Sequence, residues 1–324
     1  MLRKFRNTLT NVILTQLLLA ATAAGFQPVC AKIVEQDNGI VAVKSQLPVY
    51  VWHDTRVRPR GIVLAVHGLT MHGKVFDATA RYLASERFLV AAPDLRGYGS
   101  WYKKNARCKT EYSAVESDLA GVAKALREAN PGVPLFVAGE SLGGTAALRL
   151  AAHHPELVDG MILSAPALRF RSHFGLRGVA QVAMLMTNPT RRIDTSKYVR
   201  YFSNDEGIRA EELADPLRRN RMGLGELISS CRFMSGSREC VAEVPQDMPV
   251  LIMQGDEDAM VKRASVAMLE HGLKTEKRQV CWIAKHGHIL LETSHVDKET
   301  LSTVSAWLAA NCRMRTESTM VAKL

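Results

Sequence analysis

Ser141 lies in a Gly-Glu-Ser-Leu-Gly-Gly segment, residues 139–144, that contains the pattern G-x-S-x-G. The apolar run 134–138 precedes this segment, and a helical stretch follows it. A strand-turn-helix connection of this kind holds a serine on a strained turn, and glycine neighbours let the helix pass close to the strand. We therefore predict that Ser141 is an exposed nucleophile above a sheet edge, although the five-letter pattern alone also fits an ordinary glycine-bordered turn.

A nucleophilic serine needs a base and an acid that orients the base, and three acids compete for the second role. The apolar run 249–254 is predicted to be a buried strand, and Asp256, Glu257 and Asp258 follow it. Asp258 is preferred because a G-x-x-D turn carries its carboxylate past the end of the strand. The other two acids can face solvent or cap a helix that begins near Lys262.

Two histidines compete to be the base, and both lie in the loop after the next predicted strand, residues 278–283. His288 comes directly before an apolar run that can hold its backbone while the ring reaches back toward Ser141. His286 has no such setting and is interpreted as a loop residue. The chain order Ser, Asp, His is the order in which this kind of fold supplies a catalytic triad.

Two backbone N–H groups are predicted to stabilise negative charge on the substrate. The apolar run 62–66 ends in His67, Gly68 and Leu69, a turn from which the Leu69 N–H can point at a carbonyl oxygen. The second donor is the N–H of Leu142, in the first turn of the helix after the serine. His67 itself is interpreted as a turn histidine that bonds its own backbone, not as a proton-transfer group.

Several segments together resemble an α/β-hydrolase of the monoacylglycerol lipase and lysophospholipase group, which is related to the serine aminopeptidases. These are the His-Gly-Leu turn at 67–69, the Asp-Leu-Arg-Gly-Tyr-Gly-Ser segment at 94–100, the serine segment at 139–144, and the loops that hold Asp258 and His288. Segments 201–206 and 214–217 also resemble the cap of these lipases. The resemblance covers about residues 45–312 and implies an α/β-hydrolase fold with a mostly parallel central sheet, helices on both faces and an inserted helical cap.

The chain departs from the group on both sides of the serine. The group usually has histidine before the serine and methionine after it, whereas this chain has Glu140 and Leu142. Leu142 contributes only its N–H to the predicted chemistry, so that change is neutral. Glu140 places an acid beside the nucleophile and leaves the substrate preference open.

The chain has 324 residues, 47% of them hydrophobic, and residues 32–324 are predicted to form one catalytic domain. Strand-like runs alternate with helical stretches, except that about eighty residues separate the strand-like runs 160–164 and 249–254. This interval predicts a cap at about residues 166–244. Its apolar stretch 179–186 contains Met184 and Met186 and is either an adaptable wall for an acyl chain or an ordinary packed helix. The loop around Asp94 is interpreted as a structural loop without a catalytic role.

The first residues predict export. Arg3, Lys4 and Arg6 precede an apolar stretch of secretory length, and small residues lie before Lys32. Residues 1–31 are therefore predicted to be a signal peptide, which makes the protein periplasmic or extracellular. The alternative is an uncleaved membrane anchor.

The chain stays basic after such cleavage, and eight of the arginines in the predicted cap stand out as a candidate lipid-binding set. They either draw the protein to anionic lipid surfaces or cover a solvated helical surface; they are Arg169, Arg171, Arg177, Arg191, Arg192, Arg218, Arg219 and Arg221. Charge is the only feature that suggests nucleic acid, because no helix-turn-helix or aromatic-basic interleaving is present. In an exported protein Cys231 and Cys240 could form a disulfide.

The predicted function is an exported serine hydrolase that cleaves carboxylic esters of the monoacylglycerol or lysophospholipid kind through an acyl-enzyme. No cofactor is predicted, and no H-E-x-x-H motif or paired Cys/His spacing predicts a metal. One alternative is an aminopeptidase of the related family, which would need acidic anchors for a substrate amine; Glu140 is the only nearby candidate. The other is a binding protein on a hydrolase scaffold, against which the filled Ser, Asp and His positions argue.

Overall fold

The computed structural model describes residues 47–170 and 192–312. The predicted signal peptide and the stretch 179–186 lie outside these ranges. In chain order the described strands are β1 (Val49–Trp52), β2 (Gly61–Val66), β3 (Phe88–Pro93), β4 (Leu135–Glu140), β5 (Gly160–Ser164), β6 (Arg192–Asp194), β7 (Arg221–Gly223), β8 (Val250–Gly255) and β9 (Arg278–Ile283). The described α-helices are α1 (Asp77–Ser85), α2 (Gly99–Lys104), α3 (Val115–Ala129), α4 (Leu142–His153), α5 (Glu206–Ala214), α6 (Leu224–Gly236), α7 (Ala264–Gly272) and α8 (Lys298–Asn311).

Three short 3-10 helices complete the described elements, at Gly73–Phe76, Ser196–Tyr201 and Glu239–Glu243. Within residues 47–170 and 192–312, no helix is both long enough and apolar enough to cross a membrane.

Seven strands form one sheet in the order β1-β3-β2-β4-β5-β8-β9. All neighbouring pairs are parallel except β1 and β3, which are antiparallel. The strands from β1 to β8 in this sheet are buried on both faces, whereas the edge strand β9 is partly exposed. In β2, Ile62, Leu64 and Val66 pack in one core cluster, while Val63 and Ala65 pack in a second cluster on the other face. The α/β-hydrolase fold and the mostly parallel sheet predicted from the sequence are confirmed.

The chain between β5 and β8 contacts the loops at the carboxyl ends of the strands. The carbonyl oxygen of Phe202 accepts hydrogen bonds from the N–H groups of His288 and Ile289, at 2.7 and 3.2 Å. His72, in the loop after β2, contacts the carboxylate of Asp215 at 2.6 Å, and the N–H of Arg219 donates to the carbonyl of Thr70 at 2.8 Å. The inserted segment therefore lies against the same sheet edge that carries the predicted catalytic loops.

Two arginines of the inserted segment, the chain between β5 and β8, have a role that the sequence did not indicate. Arg218 and Arg219 are buried, with 3% and 0% of their surface exposed. Arg218 pairs with Glu212 at 3.4 Å, and Arg219 forms an ion pair with Glu226. These two side chains therefore neither cover a solvated surface nor contact a lipid surface. Both pair with acids of the inserted segment, and Arg219 also donates to the carbonyl oxygens of Gly97 and Cys108 outside it.

The predicted disulfide is absent from the described part of the chain. Cys231, on α6, and Cys240, in the following 3-10 helix, are both free thiols. The Cys240 sulfur lies 3.5 Å from the Nε2 atom of His153 instead. The eight-residue spacing suggested a bridge, but the turn between the two helices directs Cys240 toward the end of α4.

The passage of α4 across β2 leaves no room for a side chain at Gly143. A Cβ atom there would lie 1.8 Å from the carbonyl oxygen of Val66. We expect Gly143→Ala to destabilise the protein by about 1–3 kcal/mol or more. The matched control is Gly121→Ala on α3, where a Cβ would meet nothing within 4 Å and where alanine should stabilise the helix by about 0.5–1 kcal/mol. Thermal melts of the two variants measure the difference, and equal melting temperatures would contradict the expectation.

Candidate active site

Ser141 occupies the sharp turn between β4 and α4. Its backbone has φ 57° and ψ −115°, a strained conformation for a residue with a side chain. Glycine is required around it, because a Cβ at Gly139 would lie 2.2 Å from the carbonyl oxygen of Gly143. The N–H of Ser141 donates to the carbonyl of Ser164 on β5 at 2.9 Å, which holds the turn on the sheet. The side chain is half-buried at the carboxyl end of the strands.

His288 and Asp258 lie in contact in the loops after β9 and β8. The Nδ1 atom of His288 is 3.0 Å from Oδ2 of Asp258, and both side chains are buried. The other carboxylate oxygen of Asp258 accepts hydrogen bonds from the N–H groups of Met260 and Val261, at 2.7 and 2.8 Å. Both oxygens of the acid therefore have partners, and one of them faces the imidazole.

The competing residues of the same loops lie elsewhere. Asp256 is exposed and accepts from the N–H of Lys285 at 2.7 Å. Glu257 is also exposed and accepts from the amide of Asn204 at 2.6 Å. The Nδ1 atom of His286 is 2.8 Å from the carbonyl of Ala284 in its own loop. The structure thus brings together the acid and the histidine predicted from the sequence and keeps the alternatives apart.

His67 is a turn histidine that bonds to backbone groups, as interpreted from the sequence. His67 is fully buried; its Nδ1 atom is 2.9 Å from the carbonyl oxygen of Gly68, and its Nε2 atom accepts from the N–H of Leu95 at 3.1 Å. Burial lowers the pKa of His67 to about 4, so the ring is neutral near pH 7. Leu69 follows this turn and Leu142 follows Ser141, and the oxyanion role of their N–H groups stays a prediction.

The Asp94 loop is architectural, as predicted. The carboxylate of Asp94 accepts from the N–H of Gly73 at 2.8 Å and from the N–H and hydroxyl of Ser100 at 2.8 and 2.7 Å. Arg96 pairs with Asp118 on α3 at 2.7 Å. The loop therefore joins two helices to the sheet.

Glu140 has a structural role that its position beside the serine does not indicate. Its carboxylate is fully buried and accepts hydrogen bonds from the Ser164 hydroxyl at 2.5 Å and from the backbone N–H groups of Leu290, Leu291 and Glu292 at 3.0–3.3 Å. Burial raises the pKa of Glu140, and these donors oppose that rise. The acid before the nucleophile therefore holds the segment that follows His288, and both of its oxygens are occupied.

Glu292 extends this connection to the His67–Leu69 turn, the predicted source of one oxyanion donor, and no sequence motif indicates this role. One of its buried carboxylate oxygens accepts from the N–H of Gly68 at 2.7 Å. Burial and the nearby charge of Glu140 raise the pKa of Glu292 well above its ordinary value, which favours the protonated acid. Two buried acids thus connect the serine turn, the histidine loop and the Gly68 turn.

The role of Glu140 predicts a specific defect in Glu140→Gln. The glutamine amide would turn an NH2 group toward backbone N–H donors, which leaves buried donors unpaired and should cost about 1–3 kcal/mol of stability. Because the segment after His288 then loosens, we expect kcat to fall more than KM rises. The matched control is Glu211→Gln, since Glu211 accepts from the N–H of Ser294 in the same loop at 3.0 Å but is only half-buried. A kcat loss that is no larger than that of the control would contradict this role.

The pH profile should report His288. Burial alone would lower its pKa, but the negative charge of Asp258, and to a smaller extent that of Glu140, raises the pKa above 6.5. A general base must be neutral, so activity should fall as the pH drops through a value above 6.5. Both Asp258→Asn and Glu140→Gln remove a negative charge that favours the imidazolium and so lower the pKa of His288. The residual activity of each variant should therefore fall only at a lower pH than that of the unmodified protein. Profiles of kcat/KM measure this; an acid limb that moves upward would contradict it.

Comparisons with known proteins agree with this geometry. The sequence profile of the family described as serine aminopeptidase, S33, matches residues 57–294. A putative monoglyceride lipase of Schizosaccharomyces pombe is 25% identical over 79% of this chain and 69% of its own length. The monoacylglycerol lipase of Mycolicibacterium smegmatis is 26% identical over 67% of this chain and 77% of its own.

A solved structure shows the same fold. The crystal structure of the Paleococcus ferrophilus monoacylglycerol lipase aligns with a TM-score of 0.67 at 21% identity, covering 82% of this chain and 99% of that one. The resemblance predicted from the sequence is therefore confirmed. Since the family profile covers most of the described residues, including Ser141, Asp258 and His288, the chain belongs to the serine aminopeptidase S33 family of α/β-hydrolases.

Proposed function

We propose that this protein is a serine hydrolase of carboxylic esters that works through an acyl-enzyme. The observation that carries the proposal is the buried contact of 3.0 Å between His288 and Asp258, in a loop that Glu140 ties to the strained turn of Ser141. A serine on such a turn, together with an imidazole oriented by a carboxylate, is the set of groups that can activate a hydroxyl for acyl transfer.

The chemistry then has two halves. The Oγ atom of Ser141 attacks the ester carbonyl carbon, and its proton moves to Nε2 of His288, the ring nitrogen that Asp258 does not contact. Asp258 keeps the Nδ1–H tautomer and stabilises the imidazolium. The N–H groups of Leu69 and Leu142 hold the oxyanion. His288 gives its proton to the leaving alcohol. A water molecule, deprotonated by the same histidine, then attacks the acyl carbon, and the histidine returns that proton to Oγ of Ser141 as the acid is released.

The proposed substrates are lipid esters of the monoacylglycerol or lysophospholipid kind. Support comes from the names of the relatives, which include monoglyceride lipases, and from the inserted segment over the strand ends, which can cover an acyl chain. A fluorophosphonate probe should label Ser141, and a panel of monoacylglycerols, lysophospholipids and p-nitrophenyl esters of graded chain length should show a preference for longer acyl chains. Hydrolysis of only acetate esters would contradict the lipid assignment.

The aminopeptidase alternative requires an acidic residue that binds a substrate amine, and Glu140 was the one candidate. Glu140 is buried, and both oxygens accept hydrogen bonds from the protein, so it offers nothing to a substrate amine. An aminoacyl-amide substrate in the same panel tests this directly. Turnover of that substrate above the ester rates would overturn the proposal.

We also propose that the protein is exported, on the strength of the basic and apolar character of residues 1–31. Mass spectrometry of the protein recovered outside the cytoplasm should then give a mature chain that begins at Lys32. A chain that retains its first residues in the membrane fraction would support the anchor alternative instead.

A further inference from the structure

A cluster of potential metal ligands lies at the end of α4 that is remote from Ser141. His153 is the last residue of α4, so about 17 Å of helix separates it from the serine turn. Cys240 and Glu243 lie three residues apart in the 3-10 helix Glu239–Glu243, on the side that packs against α4. Residues three apart in a 3-10 helix lie one above the other. The cluster is thus assembled from segments 87 residues apart, and no local spacing announces it.

The distances between the ligand atoms suit a tetrahedral ion. Nε2 of His153 is 3.0 Å from Oε2 of Glu243 and 3.5 Å from the sulfur of Cys240, and the three ligand atoms lie within 4.8 Å of one another. For Zn–N and Zn–O bonds near 2.0–2.1 Å and a Zn–S bond of 2.3 Å, the edges of a tetrahedron are about 3.3–3.6 Å. The ligand atoms of Cys240 and Glu243 therefore each lie near the required distance from Nε2 of His153.

The second nitrogen of His153 is held by a carboxylate. Nδ1 of His153 is 2.9 Å from Oε1 of Glu116 on α3, and the other oxygen of Glu116 accepts from Arg149 at 3.2 Å. A ring that donates Nδ1–H to Glu116 presents the lone pair of Nε2 to Glu243 and Cys240. Carboxylate–histidine–zinc arrangements have this form. Three electron-pair donors then face one another, and a cation between them satisfies all three.

We propose that His153, Cys240 and Glu243 bind one Zn²⁺ ion, with Glu116 orienting the histidine and water as the fourth ligand. The donor set of nitrogen, sulfur and oxygen suits zinc. Binding breaks the S–H bond of Cys240, whose proton passes to solvent as the Zn–S bond forms. The ion would join α3 and α4 of the hydrolase body to the chain just before β8. It is a structural clamp, and it takes no part in ester hydrolysis.

The test uses the full protein without an affinity tag, stripped of metal with a chelator and titrated with Co²⁺. One Co²⁺ per chain should bind and give the near-ultraviolet charge-transfer band of a cobalt–thiolate bond, which Zn²⁺ then removes. Cys240→Ser should abolish the band. Cys231→Ser, a half-buried cysteine on α6, is the matched control and should keep it. Absence of the band in the unmodified protein, or its persistence in Cys240→Ser, would overturn the proposal.

Two further variants test the site independently, in case Cys240→Ser fails to fold. Glu243→Gln should weaken Zn²⁺ binding, and Glu116→Gln should weaken it by about 10–100-fold, the usual effect of removing an outer-shell partner. A slight excess of Zn²⁺ should raise the melting temperature of the unmodified protein and leave that of Glu243→Gln nearly unchanged. Equal Zn²⁺ affinity in all three proteins would show that the cluster is only a hydrogen-bonded ion pair around a protonated His153.

Discussion

Ser141→Ala is expected to lower the rate of ester hydrolysis by at least roughly a thousandfold, because the proposed acyl-enzyme cannot form without the hydroxyl. The fold should survive. Alanine has the same Cβ as serine, so it meets no new strain at φ 57°, and the half-buried hydroxyl contributes little to the core. The measurement is steady-state hydrolysis of a p-nitrophenyl ester together with a thermal melt.

Ser117→Ala provides the matched control, since this serine is exposed on α3 and its hydroxyl contacts only the Ala114 carbonyl. It should keep normal turnover and normal labelling by a fluorophosphonate probe. Near-normal activity of Ser141→Ala, with an unchanged circular dichroism spectrum, would remove the basis for the proposed mechanism.

The second large effect concerns the acid and the base. Asp258→Asn and His288→Ala should each lower kcat by several orders of magnitude, because Asp258 holds the tautomer of the imidazole and His288 moves the proton. Asp256→Asn and His286→Ala should each cost less than about tenfold, since neither side chain contacts Asp258 or His288. Asp256 accepts from the N–H of Lys285, and His286 contacts the carbonyl of Ala284 and the carboxylate of Asp297. The four variants form two matched pairs in the same two loops.

Kinetics on one ester, with a melting curve for each variant, decide the ranking. If Asp256→Asn or His286→Ala proves more damaging than its partner, the assignment of that loop is wrong. A large loss in all four variants with lowered melting temperatures would instead indicate that the loops are needed only for the fold.

Much of the fold could be read from the sequence because most strands of the sheet are buried on both faces. The fully buried strand Gly160–Ser164 coincides with its predicted run. The strand Arg278–Ile283 also coincides with its predicted run, although it is an edge strand and most of its residues are exposed or half-buried. The edge strand Val49–Trp52 was missed. It is short and pairs antiparallel on one side only, so no alternation with a helix marks it.

The site shows where sequence reasoning stops. Ser141, Asp258 and His288 could be proposed from the sequence because each follows a recognisable strand. The position of Glu140 in the sequence suggests a substrate contact that its burial excludes, because its backbone partners lie about 150 residues away and the Ser164 hydroxyl lies on another strand. Glu292 follows an apolar run and carries no motif. Local patterns identify a residue's chemistry, whereas the partner of a buried polar group is set by tertiary contacts.

The buried carboxylate of Glu140 also limits how this sequence can evolve. A single change at position 140 would leave the Ser164 hydroxyl and three backbone N–H groups without their acceptor, next to an acid at position 292 whose pKa depends on the lost charge. A change at position 292 would not supply a new acceptor for these donors, but it would remove the group whose pKa responds to the charge of Glu140, so the energetic effects of changes at positions 140 and 292 are coupled. The fitness effect of a mutation at either position depends on the residue at the other, which makes the two sites epistatic.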